Sequence, residues 1–506
     1  MAKFNLTKTP AKPSTVNLAG GNAYSQSAEL ELASILLTSF ASDQFYRSAE
    51  DTFKRLKELI PQCDKKFVAQ AAIYARTEFG MRSITHVLGS EVAKYLSGEP
   101  WAKNFYERLI YRPDDMMETL SYHITHNGKI PNSMKKGFAK AFDKFDTYSL
   151  SKYRAEGKEF KLIDVVNLVH PIPTEKNMEA LQALVKGELR STETWEAKLT
   201  QAGQKAENEE EKMELKKDAW KDLIKSKKIG YIALLRNLRN IYQQAPDCIK
   251  DACALLTDEK VIKKQLLMPY QFYLAYLEIE KLGTDSKLRM IAEAIGEALD
   301  IASSNVPKLD GESCVIFDAS GSMDGLLSPK GTITRRQVAS VFAAIMAKAN
   351  NADIMIFGSR AAYVPFNRKD SITTIMKELD KHNRGGGYGW SSRPATPVNG
   401  AIQVEHGTDF NATFNMMNKK YDRLFYFSDM GHNFEGTGND GLKMYRKKFG
   451  ADPYTYMFDL AGYGTSQFPQ GKCYQLAGFS DKVFALISML ERDKNILVNT
   501  IKKIEF

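Results

Sequence analysis

The sequence predicts two architectures in series: an α-helical repeat domain, then a doubly wound α/β domain. Three observations predict this. The chain has 506 residues, too many for one ordinary hydrophobic core. From about Ala28 to Ser304, apolar residues recur at helical spacing with turn signals between them. After Pro307, short apolar runs alternate with helix-like stretches, the pattern of a parallel sheet covered by helices.

The helical part is read segment by segment. In FVAQAAIYARTEFG, Phe67, Ala71 and Tyr74 recur at helical spacing. EVAKYLSG, SMKKGFAKAFDKF, YIALLRNLRNIY and MIAEAIGEALDIA suggest further helices, and SGEP, RPDD, NGKIPN and HPIPT separate them. Helix pairs in series suggest an α-solenoid. The stretch QKAENEEEKMELKKDAWKDLIKSKK, dense in both charge signs, reads as a solvated helix or an insertion between helices.

The second part begins with CVIFDASGSM, a buried strand ending in a polar turn. RRQVASVFAAIMAKA reads as a helix, ADIMIFGS and YVPF as strands, and SITTIMKELD as a helix. A loop, RGGGYGWSSRPATP, precedes the helix-like VNGAIQV. RLFYFSDM, DPYTYMFDL and the segment around CYQLAG are strands, and FSDKVFALISMLERD is a closing helix. The boundary is expected between Asn305 and Asp310. The expected domains are a flexible arm over 1–22, a helical domain over 23–306 and an α/β domain over 307–506.

Composition narrows the function classes. With 43% hydrophobic and 26% charged residues, the chain reads as globular, and no apolar run approaches a membrane span. The N-terminal segment lacks the apolar core of a secretory signal. The five cysteines are scattered at Cys63, Cys248, Cys253, Cys314 and Cys473, which suggests neither a disulfide framework nor a zinc site. A reducing cytoplasm fits. The net charge of +9 and pI near 8.9 are compatible with nucleic acid but do not prove it.

The sharpest local motif is Asp318-Ala-Ser320-Gly-Ser322, at the end of the VIF strand. In open α/β sheets, ligands bind beyond the carboxyl ends of the strands. A hard cation such as Mg²⁺ takes oxygen ligands and retains waters. One carboxylate and two hydroxyls on a tight turn suit it, and Gly321 permits the turn. An isolated match would be weak, because Asp and Ser are common turn residues. Thr396, after the Gly-rich loop, and Asp429, at the end of LFYFS, could complete the set. Together the five resemble the metal-ion-dependent adhesion site of von Willebrand A domains. The resemblance implies that Ser320, Ser322 and Thr396 contact Mg²⁺ or Mn²⁺, while Asp318 and Asp429 act largely through water. Ser391 or Ser392 could compete with Thr396. His382, His406 and His432 are scattered, and no nucleophile–base pair accompanies the motif, so no catalysis is expected.

Two segments carry cations in suggestive patterns. Arg236 and Arg239 fall roughly 60° apart on a helix, opposite Leu234, Leu238 and Ile241. Such a face either meets phosphates or holds structural arginines. Ser151-Lys152-Tyr153-Arg154 is followed by Lys158, Lys161 and IDVVNLVHP, ending at His170. That set either holds phosphates and a stacked base or is a charged helix end with a capping histidine.

ALLRNLRN, the KYR…DVVNLVHP segment and the DASGSM-led domain, in that order, resemble the TROVE-domain family over roughly Ala23 to Phe506. The resemblance implies a ring of HEAT-like helical repeats closed by a von Willebrand A-like domain. It implies small noncoding Y-like RNA on the outer surface and single-stranded ends of misfolded RNA in a central hole. By position, His170 matches the family's Y-RNA-binding histidine and Lys152 a basic residue before it. A second basic position falls at Glu156, where Arg154 could substitute.

The leading expectation is therefore RNA binding without catalysis, in RNA quality control or as an adaptor for an exoribonuclease. The alternative is a von Willebrand A-type protein-interaction module on a helical scaffold. A metal-dependent RNA-processing enzyme is a third.

Overall fold

The computed structural model describes residues 12–40, 44, 46–154, 160–189, 195–264, 267, 269–304, 306–327, 331–382, 397–398, 400–469, 472–478, 484, 486–491, 493 and 495–506. From Ala28–Thr38 to Ser286–Ala302 the regular structure is helical. Successive helices pack as pairs: Ser83–Glu91 against Pro113–Asn127, Ala102–Leu109 against Asn132–Ala141, and Pro269–Glu280 against Ser286–Ala302. Polar caps start many of them. Ser48 accepts from the Asp51 N–H at 3.0 Å and Asp64 from the Phe67 N–H at 3.0 Å, each satisfying a free donor of the first turn. The small residues of Lys65–Thr77 let it be buried nearly all round, from Phe67 to Arg76.

The strands in chain order are β1 (Thr15–Val16), β2 (Asn22–Ser25), β3 (Ser313–Asp318), β4 (Asp353–Phe357), β5 (Ala361–Val364), β6 (Pro397–Val398), β7 (Ala401–Ile402), β8 (Arg423–Ser428), β9 (Tyr454–Asp459), β10 (Thr465–Ser466) and β11 (Cys473–Ala477). The main sheet has the order β11-β9-β8-β3-β4-β5, parallel except for the edge strand β5. This is a doubly wound sheet whose order reverses between β3 and β8. Alternation divides its side chains. Val315, Phe317, Phe425 and Phe427 join a core continuous with the helical domain. Cys314, Ile316, Leu424 and Tyr426 join a second core with Phe410 and Phe414 of the helix Phe410–Met416. Burial on both faces explains the unbroken apolar runs CVIF and LFYF.

The α/β domain touches both ends of the helical run. At the N-terminal end, Ala28–Thr38 packs on β11, and both it and Lys65–Thr77 contact the last helix, Ile496–Lys502. The Gln70 amide donates to the carbonyls of Lys502 at 2.7 Å and Ile504 at 2.9 Å. The approach is close at Gly462 (φ 69°), where a Cβ would meet the Ile35 Cα and the Ser34 carbonyl oxygen at 3.2 Å. At the other end, Pro269–Glu280 packs on Arg335–Asn350, and Ser286–Ala302 on Ile372–Asp380. Lys348–Asp300 (3.2 Å) and Lys377–Glu280 pair across that seam. The helical run is thus closed into a ring by the α/β domain.

Two expectations are corrected. The flexible arm over 1–22 is docked along part of its length: β1 pairs with β2, and β2 with β10. VNGAIQV is not helical; β6 and β7 form an antiparallel pair, with Gly400 at φ 79° between them. Among the described residues of the closing segment, Ile487–Leu490 is α-helical, and Ile496–Lys502 follows as a separate helix.

Inside the helical domain, Asp115 is wholly buried and accepts from the Tyr111 N–H at 3.0 Å and the Arg112 N–H at 2.8 Å. Arg76 and His86 each meet its carboxylate at 2.9 Å. Burial pushes its pKa up, but the His86 hydrogen bond and the Arg76 charge outweigh it and hold the carboxyl below its ordinary range. The stabilisation is present above pH about 4 and is lost as pH falls toward the depressed folded value. Asp115→Asn leaves Arg76 buried without its counter-charge and is expected to cost about 3–5 kcal/mol. Urea melts at pH 7 and pH 3 check this: the gap between wild type and variant is expected to narrow in acid.

Candidate functional site

The turn after β3 and the turn after β8 face each other across the strand-order reversal of the sheet. Asp318, Ser320, Ser322 and Asp429 are all buried there. The Ser320 N–H donates to Asp318 Oδ1 at 2.8 Å, closing the turn, and the Ser320 and Ser322 hydroxyls lie 3.3 Å apart. Ser428, not singled out in the sequence, donates its hydroxyl to Asp318 Oδ2 at 2.6 Å. Met430 adopts φ 61°, and the Gly431 N–H donates to Asp429 Oδ1 at 3.0 Å. Thr396, with Ser391 and Ser392, lies outside the described residues.

The electrostatics fit a cation. Burial, reinforced by the charge of Asp429, raises the Asp318 pKa. Burial also raises that of Asp429, against the Ser322 hydroxyl, the Gly431 N–H and the charge of buried Arg335. Asp429 Oδ2 is buried without a hydrogen-bond partner. Two desolvated carboxylates beside two hydroxyls are costly when alone and well matched to a hard divalent ion. Among the described residues, no group of three or more His, Cys, Asp or Glu side chains is arranged to hold a metal ion, so hydroxyls would have to supply ligands.

A third buried carboxylate, Asp459, ends β9 and accepts from the Ala461 and Gly462 N–H groups at 2.9 and 2.7 Å. Burial pushes its pKa up to about 7, with the Asp429 charge adding to the shift. No motif signals it, because a lone Asp at a strand end is common. His432 is a core residue: its Nδ1 lies 3.0 Å from the Thr408 carbonyl oxygen, and burial pulls its pKa down to about 4.

The N-terminal hairpin braces the same turn. The Asn17 amide donates to the His432 carbonyl at 2.7 Å, and its oxygen accepts from the Ala19 and Gly21 N–H groups at 3.0 Å.

The cationic residues fall into separate places. Arg236 and Arg239 are exposed on Tyr231–Gln244, opposite buried Leu234, Leu238 and Ile241. Both line a cavity of about 610 Å³ with Leu235 and Tyr270. Arg236 also lines a cavity of about 1070 Å³ that contains Lys152. His170 adopts φ 48° at the end of Leu162–Val169 and lines a third cavity, of about 690 Å³, with Lys103, Lys135, Lys136 and Lys140. Arg154 donates to the Leu189 carbonyl, tying two segments together. The structure thus groups Lys152 with Arg236 rather than with His170. Lys158 and Glu156 lie outside the described residues.

The TROVE domain model matches residues 32–218 and 182–306, more than half of the chain. The chain belongs to the TROVE-domain family. That family is generally RNA-binding. Telomerase protein component 1 of Mus musculus is 20% identical over 348 residues, and that of Rattus norvegicus 17% over 348 residues. Each match covers 51% of this chain and 13% of the relative, so the chain spans only a small part of those proteins. The Deinococcus radiodurans Ro (RSR) protein has a similar fold, with a TM-score of 0.57, 15% identity, and coverage of 91% of this chain and 99% of that one. The fold class is therefore the expected one: a helical ring plus a doubly wound α/β domain. In this TROVE protein Lys152, Arg154, His170, Arg236 and Arg239 lie inside the matched region, and the Asp318 and Asp429 turns outside it.

Asp318→Ala removes one of the facing carboxylates without touching the helical ring. Mg²⁺ or Mn²⁺ titrated into the protein by calorimetry is expected to bind wild type and to lose its heat signal in the variant. The helical circular dichroism should be unchanged. Equal affinity in both proteins would remove the proposed centre.

Proposed function

We propose that this TROVE protein binds a small noncoding Y-like RNA on its outer surface and single-stranded ends of misfolded RNA at the ring. Its role would be in RNA quality control or as an adaptor for an exoribonuclease in the cytoplasm. The observation that carries the reading is the pair Arg236 and Arg239. Both are exposed on one helix face, within the family-matched region, and have no carboxylate partner among the described residues. Unpaired guanidinium groups on a concave surface are suited to phosphates, which they hold through charge-assisted hydrogen bonds. The His170 cavity, lined by four lysines, supplies a second cationic surface suited to a structured RNA. The buried turns of Asp318, Ser320, Ser322 and Asp429 would hold Mg²⁺ or Mn²⁺, with Thr396 proposed as a further ligand. No catalytic step is assigned to them.

The unpartnered Asp429 oxygen favours one further reading, a protein-interaction role for the α/β domain through its metal. The two readings predict different losses. No helix among the described residues is long and apolar enough to cross a membrane.

Replacing both Arg236 and Arg239 with Gln leaves the buried face intact. Anisotropy titrations of a single-stranded RNA at several salt concentrations are expected to show weaker binding. The salt slope should be flatter by about 1.4, at roughly 0.7 per lost phosphate contact. An unchanged slope in a variant with wild-type melting would refute the ring contact and favour the protein-interaction role.

A further inference from the structure

The cavity of about 1070 Å³ joins residues from parts of the chain far apart in sequence. Arg112 precedes the helix Pro113–Asn127, and Tyr148 and Lys152 belong to Thr147–Lys152. Trp195 opens the charged hairpin of Trp195–Gln204 and Glu209–Lys225, and Lys228 and Arg236 come from its exit and from Tyr231–Gln244. Only Lys152 and Arg236 among these are matched by motif or face pattern; the others emerge from the fold.

We propose that this cavity is a subsite for an unpaired RNA nucleotide, its base stacked on Tyr148 and its flanking phosphates held by Lys152, Lys228 and Arg236. The inference rests on the RNA-binding reading above and specifies where and how one nucleotide is held.

Charge is the first argument. Arg112 is offset by Asp114 at 2.7 Å, and Lys198, also at the cavity, by Asp222. Lys152, Lys228 and Arg236 have no carboxylate ion pair among the described residues and are exposed. Among the described residues, Glu196 is the one carboxylate residue lining the cavity. Three cations around one concavity, without a carboxylate ion pair among the described residues, repel each other and are relieved by an anion.

Ring geometry is the second argument. Tyr148 is 49% exposed, so one face of its ring is open to a ligand. The Lys152 ammonium lies 5.6 Å from the Tyr148 centroid and 5.8 Å from that of Tyr153, and the Arg112 guanidinium 4.4 Å from Tyr153. The rings and cations therefore alternate within one base's reach. Trp195 is backed by Trp220, with centroids 6.3 Å apart and an interplanar angle of 24°, which holds the hairpin at the rim. Aromatic faces beside unpaired cations are the surface on which unstacked bases bind with little sequence preference. A duplex keeps its bases stacked and cannot present one here. The volume lies near the upper limit of about 1,000 Å³ for small-molecule sites, room for a nucleotide and part of its neighbour.

The test uses the full chain, a fluorescein-labelled oligouridylate and a blunt-ended RNA duplex, in anisotropy titrations over a salt series. Tyr148, Lys152 and Lys228 are surface residues, so Tyr148→Leu and the double change Lys152→Gln/Lys228→Gln should melt as wild type. Tyr148→Leu is expected to weaken oligouridylate binding roughly 5- to 100-fold with an unchanged salt slope. The double lysine change should flatten the slope by about 1.4. Duplex binding should stay within twofold in both. If wild type binds oligouridylate and both variants bind it equally well, the subsite is overturned while the RNA-binding reading stands. If only the lysine variant weakens, the cavity is a charged surface without a base site, and the proposal falls. If wild type binds neither RNA, the RNA-binding reading itself fails.

Discussion

A run of helix pairs leaves an apolar face uncovered at each end, and every other feature of this protein depends on how those two faces are covered. One domain covers both. The first helices rest on β11 and Ile496–Lys502, and the last helices rest on Arg335–Asn350 and Ile372–Asp380. The N-terminal seam is a close one: Gly462 and Gly464, both at positive φ, admit Thr38 and Glu31 at distances no Cβ would allow. It is also polar at its edge, where the Arg47 guanidinium donates to the Gly462 and Tyr463 carbonyls at 3.0 Å. Closure turns a solenoid into a ring and makes one continuous core of the helical domain and one face of the sheet.

The closing domain carries its own constraint. The order reversal between β3 and β8 leaves a crevice at their carboxyl ends, and the turns that follow bury two carboxylates there. Ser428 and the backbone N–H groups of Ser320 and Gly431 hold those carboxylates in place. The N-terminal hairpin adds a brace through Asn17, so residues more than four hundred positions apart share one small structure. This ties the geometry of the Asp429 turn to the docking of the hairpin.

The cations of the helical domain are divided by the same packing. The Asp115 network of Arg76 and His86 uses its charge internally and fixes the backbone at Arg112. Arg154 is spent on the Leu189 carbonyl. Lys152, Lys228, Arg236 and Arg239 have no carboxylate ion pair among the described residues and lie around two adjoining cavities that share Arg236. His170 and its lysines form a separate surface.

Much of this was legible in the sequence. The apolar face of Tyr231–Gln244 and the exposure of Arg236 and Arg239 follow from a period of 3.6 residues. The doubly wound sheet follows from alternating apolar runs and helices, and the Asp318 turn from a short local motif. These are properties of neighbouring residues, and local sequence encodes them. VNGAIQV was misread because its apolar spacing is too short to separate a helix from a turn at Gly400. Ser428, Asp459 and the grouping of Lys152 with Arg236 had no local signal. The sequence by itself determined most of the element types, the two-part architecture and the candidate metal turn. Only the tertiary structure decided which cations share a cavity and which helix ends the α/β domain covers, because such proximity is set by long-range packing of residues that lie far apart along the chain.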